Sequence, residues 1–174
     1  MGWGSTYANR GMQLEEYIRV SNQIYENKGV AKIQKIATPV KILKVNRNRV
    51  EGCLDTKSTV DYTGTAYGIP ICFDAKETRG LNLPGKNIGE HQMQHMLHWE
   101  TAGGIAFLVV WFRDPDRIFR IRVQDVANYF KDPWIHNPKS IPLLYFEQHA
   151  KEIEKSVSIP VHYLEDITTE TRRI

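Results

Sequence analysis

The stretch STVDYTGTAYGIPICFDAKE, residues 58 to 77, decides how this chain is read. Thr63-Gly64 and Tyr67-Gly68 are turn dipeptides, and Ile69 to Lys76 beyond them is an apolar-rich run of strand length. The segment is therefore expected to form a β-hairpin, with Asp61 on one arm and Asp74 and Lys76 on the other. Side chains alternate along a strand, so Asp74 and Lys76 share a face. If the turn brings Asp61 to them, two carboxylates and one ammonium meet at a sheet edge. Close carboxylates repel each other unless a cation lies between them. Mg²⁺ suits such a place, because it takes one or two carboxylates and completes its shell with water and phosphate oxygens. Spacing alone leaves another reading open, in which Asp74 and Lys76 are a surface ion pair and Asp61 sits in a turn.

Working outward, residues 12 to 27 read as an amphipathic helix, with Leu14, Tyr17, Ile18, Ile24 and Tyr25 on one stripe and Gly29 as its stop. A strand is expected at 30 to 36. A basic, β-branched stretch then runs from Pro39 to Val50, bounded by Gly52. With Asn46-Arg47-Asn48-Arg49 as a polar tip, it reads as a projecting hairpin, an arm over about 38–57. Beyond the central hairpin, a Gly-, Pro- and Asn-containing loop (79–89) leads to a helix at about 88–101, with Asn87 as cap and Glu90 three residues later. The apolar run at 104–112 reads as a buried strand, followed by a turn at Asp114-Pro115-Asp116 and a strand at 117–123. Pro133, Pro138, Pro142 and Pro160 break the remainder into short helices, and PLLYFEQHAKEIEK is amphipathic enough to pack on the sheet. The pattern is α/β, with one mixed sheet between helices. At 174 residues a single domain over 1–174 is expected.

Composition narrows the class. With 41% hydrophobic and 25% charged residues the chain has material for a core, which argues against disorder. Its longest apolar run is about half of the roughly 20 residues a membrane-spanning helix needs, and no secretory signal is expected. Cys53 and Cys72 lack the CxxC spacing of a zinc site, so a reduced, cytoplasmic setting is the default. The net charge of +3 is unevenly placed. From Asn27 to Val50 there is no acidic residue, while Lys28, Lys32, Lys35, Lys41, Lys44, Arg47 and Arg49 are basic. Such local excess fits a polyanion partner, although a solvated face gives the same pattern.

Two further constellations stand out. His91, His95 and His98 fall on one helical face with zinc-like spacing, but no Glu follows His91 as an HExxH motif requires. The aromatics Trp3, Tyr7, Trp99, Trp111, Tyr129, Phe130 and Trp134 are not interleaved with bases and read as core or dimer surface.

Four blocks in fixed order, NRGMQLEEYI (9–18), STVDYTG (58–64), FDAKET (73–78) and HQMQHM (91–96), resemble the RecU family of Holliday junction resolvases. The resemblance implies a restriction-endonuclease-like core with a PD-(D/E)xK site. Asp61 and Asp74 would be its metal-binding carboxylates and Lys76 its catalytic lysine. Glu15 matches an acidic residue beside the metal, Gln92 a glutamine bordering the site, and Arg10 a basic residue suited to a phosphate. It implies that the arm is a stalk that enters the junction. The chain departs from the family where its usual Glu is replaced by Asp74, and where Cys72 stands on the same strand face.

The expected function is paired symmetric nicking of a four-way DNA junction by Mg²⁺-dependent hydrolysis, with Mn²⁺ able to substitute. The pseudo-two-fold substrate calls for a homodimer, and recombination proteins are candidate partners. The competing readings are a junction-binding protein without activity and a related nuclease acting on other DNA.

Overall fold

The computed structural model describes residues 12–37, 39–47, 49–54, 59–132 and 138–170. In chain order its elements are α1 (Met12–Asn27), β1 (Ala31–Lys35), β2 (Val40–Asn46), β3 (Arg49–Leu54), β4 (Tyr62–Ala66), β5 (Ile69–Thr78) and β6 (Asn82–Pro84). There follow α2 (Glu90–Thr101), β7 (Ile105–Phe112), β8 (Arg117–Arg122), α3 (Val123–Lys131), β9 (Ser140–Pro142), α4 (Leu143–His149), β10 (Lys151–Ile153) and α5 (Ile167–Glu170). Six strands form one sheet in the order β1-β4-β5-β7-β8-β10. Only β5 and β7 pair in parallel, over Ile71↔Ile105 to Thr78↔Phe112, and α2 makes the crossover that a parallel pair requires. The expected mixed α/β layering is what the chain forms.

Alternation along the central strands divides the core in two. Phe73, Phe107, Val109 and Trp111 pack under α1 with Leu14 and Ile18. Cys72, Leu108, Val110 and Phe112 face the other way, towards Met96 of α2, Val126 of α3 and Phe146 of α4. Every residue of β7 is buried because helices cover both faces of the sheet. The C-terminal segment closes the α1 face. There the buried Arg120 donates one guanidinium nitrogen to the carbonyls of Tyr163 and Glu165, each at 2.7 Å.

Three details correct the sequence reading. Thr63-Gly64 lies inside β4, and the turn is made by Tyr67-Gly68 alone, whose φ angles of 52° and 80° give the twist of a two-residue hairpin loop. A Cβ at Gly64 would stand 2.0 Å from the Lys32 carbonyl oxygen, so glycine is there to let β1 approach. Gly64→Ala is accordingly expected to push β1 off β4 and cost about 1–3 kcal/mol, read from urea unfolding; a loss below a few tenths would contradict this packing. Secondly, α2 begins at Glu90 and is capped from Gly89, while Asn87 ends a 3-10 turn (Gly85–Asn87). Thirdly, the C-terminal part is not helices alone. PLLYFEQHAKEIEK splits into α4 and β10, and β10 extends the sheet by pairing with β8. Three-residue strands carry too little periodicity to stand out in a sequence.

The arm is a separate two-stranded ribbon, β2 with β3. Its pairs Lys41↔Cys53, Lys44↔Glu51 and Asn46↔Arg49 make a polar face, and Ile42↔Gly52 and Val45↔Val50 belong to an apolar one. The register shifts between Ile42 and Lys44, leaving Leu43 as an extra residue. Without that bulge Val45 would turn to the polar face. All of β2 is exposed, with Val40, Ile42, Val45 and Val50 each more than half exposed. Residues 38, 48 and 55–57 of the expected arm lie outside the described residues.

Candidate active site

The site is made where β4 and β5 part. Their register ends at Tyr62↔Phe73, and β5 continues beside β7 to Thr78. Asp61 and Asp74 come next to each other at this fork, and each supplies the other strand with the acceptor the ladder no longer provides. Asp74 Oδ1 accepts the Asp61 N–H at 3.1 Å, and Asp61 Oδ2 accepts the Ala75 N–H at 3.0 Å. On the other side of β4, the Asp61 carbonyl still accepts the Ile36 N–H at 2.8 Å. Buried peptide groups need partners, and the two carboxylates serve that need while remaining together.

Lys76 and Gln92 complete the group. Lys76, on the same strand face, forms an ion pair with Asp74 Oδ2. Gln92, in the first turn of α2, donates to Asp74 Oδ1 at 3.0 Å, while its own Oε1 accepts from Lys76 at 3.5 Å and from the Gly89 N–H at 3.3 Å. Asp74 is completely buried. Its Oδ2 is held by the Lys76 ammonium. Two adjoining carboxylates that share a single ammonium form a donor set suited to a hard cation.

Electrostatics agree. Asp74 is pushed up to about 7, first by burial; the Lys76 charge opposes this and the Asp61 charge adds to it. The unfolded chain releases this proton near about pH 4. The stability this group confers is therefore fully present below about pH 4 and is lost as pH rises through 7. A divalent cation bound at Asp74 would replace that proton. We therefore expect the rise in melting temperature on adding Mg²⁺ to grow between about pH 6 and 8 and then level off; a rise independent of pH would speak against binding at Asp74.

The other expected residues are placed as follows. Glu15 is on α1, with its carboxylate 2.5 Å from Lys35 Nζ. Among the described residues no three His, Cys, Asp or Glu side chains stand close enough to hold a metal together. Glu15, paired with Lys35, is in no such group, and neither are the three α2 histidines. Lys32 and Lys35 lie on the edge strand β1, where Lys32 pairs with Glu26. Lys28 is in the turn before them. Lys41 and Lys44 line the polar face of the arm with Arg49, and Arg47 is at its tip. The basic stretch is thus two surfaces, a sheet edge and an arm. Arg10, Trp3, Tyr7 and Trp134 lie outside the described residues. Trp111 and Tyr129 are core, and Cys72 is buried with its thiol pushed up to about 12 by burial. Sequence reading missed Glu77, which accepts the Leu14 N–H at 2.9 Å from the opposite strand face. Its phase, one residue from Lys76, was the available signal.

With the fork defined, comparison with known proteins becomes informative. The family model described as Recombination protein U, RecU, matches residues 9–169. The chain belongs to the RecU family. It is 36% identical over 170 residues to the Holliday junction resolvase RecU of Levilactobacillus brevis, covering 94% of this chain and 85% of that protein. It is also 36% identical over 168 residues to the protein of the same name from Pediococcus pentosaceus, covering 92% of this chain and 84% of that one. A solved structure with a similar backbone course is Archaeoglobus fulgidus Hjc, a Holliday junction resolvase. Its TM-score is 0.45 at 10% identity, over 76% of this chain and 93% of that one, a likeness too slight to bear on activity. The matched span of the RecU model includes Asp61, Asp74 and Lys76, the residues the fork brings together.

Proposed function

We propose that the chain is a divalent-metal-dependent endonuclease with a restriction-endonuclease-like core that resolves four-way DNA junctions by paired symmetric nicks. The observation that carries this reading is the fork, which sets two carboxylates, a lysine and a glutamine together in a RecU-family chain. The relatives' printed names support junction resolution as the task.

The donor set fits a hard cation: Asp61 and Asp74 would hold Mg²⁺, with Mn²⁺ able to substitute, and Glu15 of α1 would join them as the third acidic group. Bound there, the ion would acidify a water and neutralise charge building on the phosphate. Lys76 orients the attacking water and meets negative charge on the phosphoryl oxygens. Gln92 holds the Lys76 ammonium and the Asp74 carboxylate in one arrangement.

The arm and the sheet edge supply binding. Lys28, Lys32, Lys35, Lys41, Lys44, Arg47 and Arg49, with Arg10, contact phosphates without reading bases, so affinity falls steeply with salt. Selectivity comes from the shape and deformability of the branch point. Two symmetric cuts need two sites on a matching axis, so the working form is a homodimer. The apolar arm face supports this, because an isolated two-stranded ribbon is marginal in water and gains from a covering surface. Among the described residues no helix is long and apolar enough to cross a membrane. A cytoplasmic place of action, on recombining DNA and beside recombination proteins, follows from the substrate.

The test is incubation with Mg²⁺ and either a labelled four-way junction or a linear duplex of matched sequence. Paired nicks at symmetric positions, confined to the junction, are expected. Tight junction binding with no cutting would leave a non-catalytic binder. Equal cutting of duplex would mean a general nuclease.

A further inference from the structure

Glu77 directly follows Lys76, and strand alternation sends it to the opposite face of the sheet, where α1 lies. Its Oε1 accepts the Leu14 N–H at 2.9 Å and its Oε2 accepts from the Arg113 guanidinium at 3.3 Å. The same guanidinium donates to Gln13 Oε1 at 3.2 Å and stacks over Trp111, 5.1 Å from the ring centre. Glu77's side chain is 8% exposed and Arg113's 28%, so the clamp closes from an open rim inward.

The first N–H groups of a helix have no partner within it. Near the start of the described part of α1, the Leu14 N–H is taken by Glu77 from 63 positions away, which serves as its cap. A carboxylate also suits the positive end of the helix dipole. A local Ser, Thr or Asp would cap α1 without burying a charge. Burying a charged pair adds little net stability, since desolvation offsets the attraction. What a distant cap adds is register: it fixes where α1 starts relative to β5. Glu15 is the residue after Leu14, so the turn that the clamp holds is the turn that carries Glu15.

We propose that Glu77 and Arg113 are positioning residues, which tie the first turn of α1, and with it Glu15, to the back of the strand that carries Asp74 and Lys76. This rests on the reading of Asp61 and Asp74 as a metal site to which Glu15 is recruited.

The test measures Mn²⁺ binding to DNA-free protein by titration calorimetry, with melting temperature followed alongside. Glu77→Ala is expected to weaken Mn²⁺ binding on the order of tenfold, as loss of a group that orients a ligand does. Glu77→Gln, which keeps an acceptor for the Leu14 N–H, should recover most of the affinity. Arg113→Met removes only the outer half of the clamp and should weaken binding less, in the same direction; it keeps the idea testable if Glu77→Ala does not fold. A lowered melting temperature with unchanged Mn²⁺ affinity in these variants would reduce the clamp to a stability element and overturn the proposal alone. A wild-type protein that binds no Mn²⁺ would overturn the metal-site reading, and the proposal with it.

Discussion

Asp74→Ala is expected to lower the single-turnover rate of junction cleavage by about a thousandfold or more, while metal-free junction binding persists. A thousandfold corresponds to about 4 kcal/mol of transition-state stabilisation, within what a bound metal supplies. Asp74 is completely buried and stands at the centre of the group, in contact with Asp61, Lys76 and Gln92. Removing it takes away a proposed metal ligand and leaves Lys76 without its counter-charge. The basic arm and sheet edge are untouched, so binding survives. Asp74→Asn provides the control for folding. It keeps the side-chain volume and an acceptor for the Asp61 N–H, so it should still unfold cooperatively at pH 8 and not cleave. Cleavage by Asp74→Ala within about tenfold of wild type would sink the assignment.

Phe73→Ala is expected to destabilise the fold by about 3–5 kcal/mol. Phe73 is completely buried, and its ring lies between Tyr62 at 4.7 Å and Phe107 at 4.9 Å, nearly parallel to both, with Tyr163 against it at 4.7 Å. Its loss leaves a cavity at the junction of β4, β5 and β7 and removes stacked contacts worth about 0.5–1.5 kcal/mol each. Domains of this size have about 5–15 kcal/mol in total, so the variant should approach its unfolding midpoint under mild denaturant. Phe73→Leu, which refills part of the volume, should restore more than half of the loss. A urea series showing less than about 1.5 kcal/mol for Phe73→Ala would mean that this stack does not support the fork.

The two predictions concern adjacent residues, and that adjacency explains what was legible beforehand. IPICFDAKET alternates, and alternation alone puts Phe73 towards one core and Asp74 with Lys76 towards the other. The all-apolar run of β7 likewise declared a strand covered on both faces. The fork was not legible, because it depends on β5 leaving β4 at Phe73 while keeping β7, which is a property of three strands together. Gly64 was misread for the same reason. Its neighbour is the Lys32 carbonyl, distant in sequence, and only packing shows that the glycine makes room for it. Glu15 was assigned to the metal by resemblance and Lys35 to DNA from the basic stretch, and no local pattern shows that the fold sets the two against each other. Arg120 was read simply as part of a strand; its burial beneath two carbonyls of the C-terminal segment follows from long-range packing that no local pattern encodes.

The arm has a parity. Its two faces are kept apart by alternation, and the extra residue at Leu43 resets the count midway. Lengthening the ribbon by two residues on each strand, or shortening it likewise, preserves which side is basic and which is apolar. Adding or deleting a single residue in one strand exchanges them beyond that point, unless a bulge is gained or lost to compensate. Because the ribbon is a sheet of its own, such even changes leave the register of the six-stranded sheet untouched. If the arm reaches towards the branch point as proposed, that reach can vary in steps while the Asp61–Asp74 fork stays fixed, which would uncouple the evolution of substrate fit from that of the chemistry.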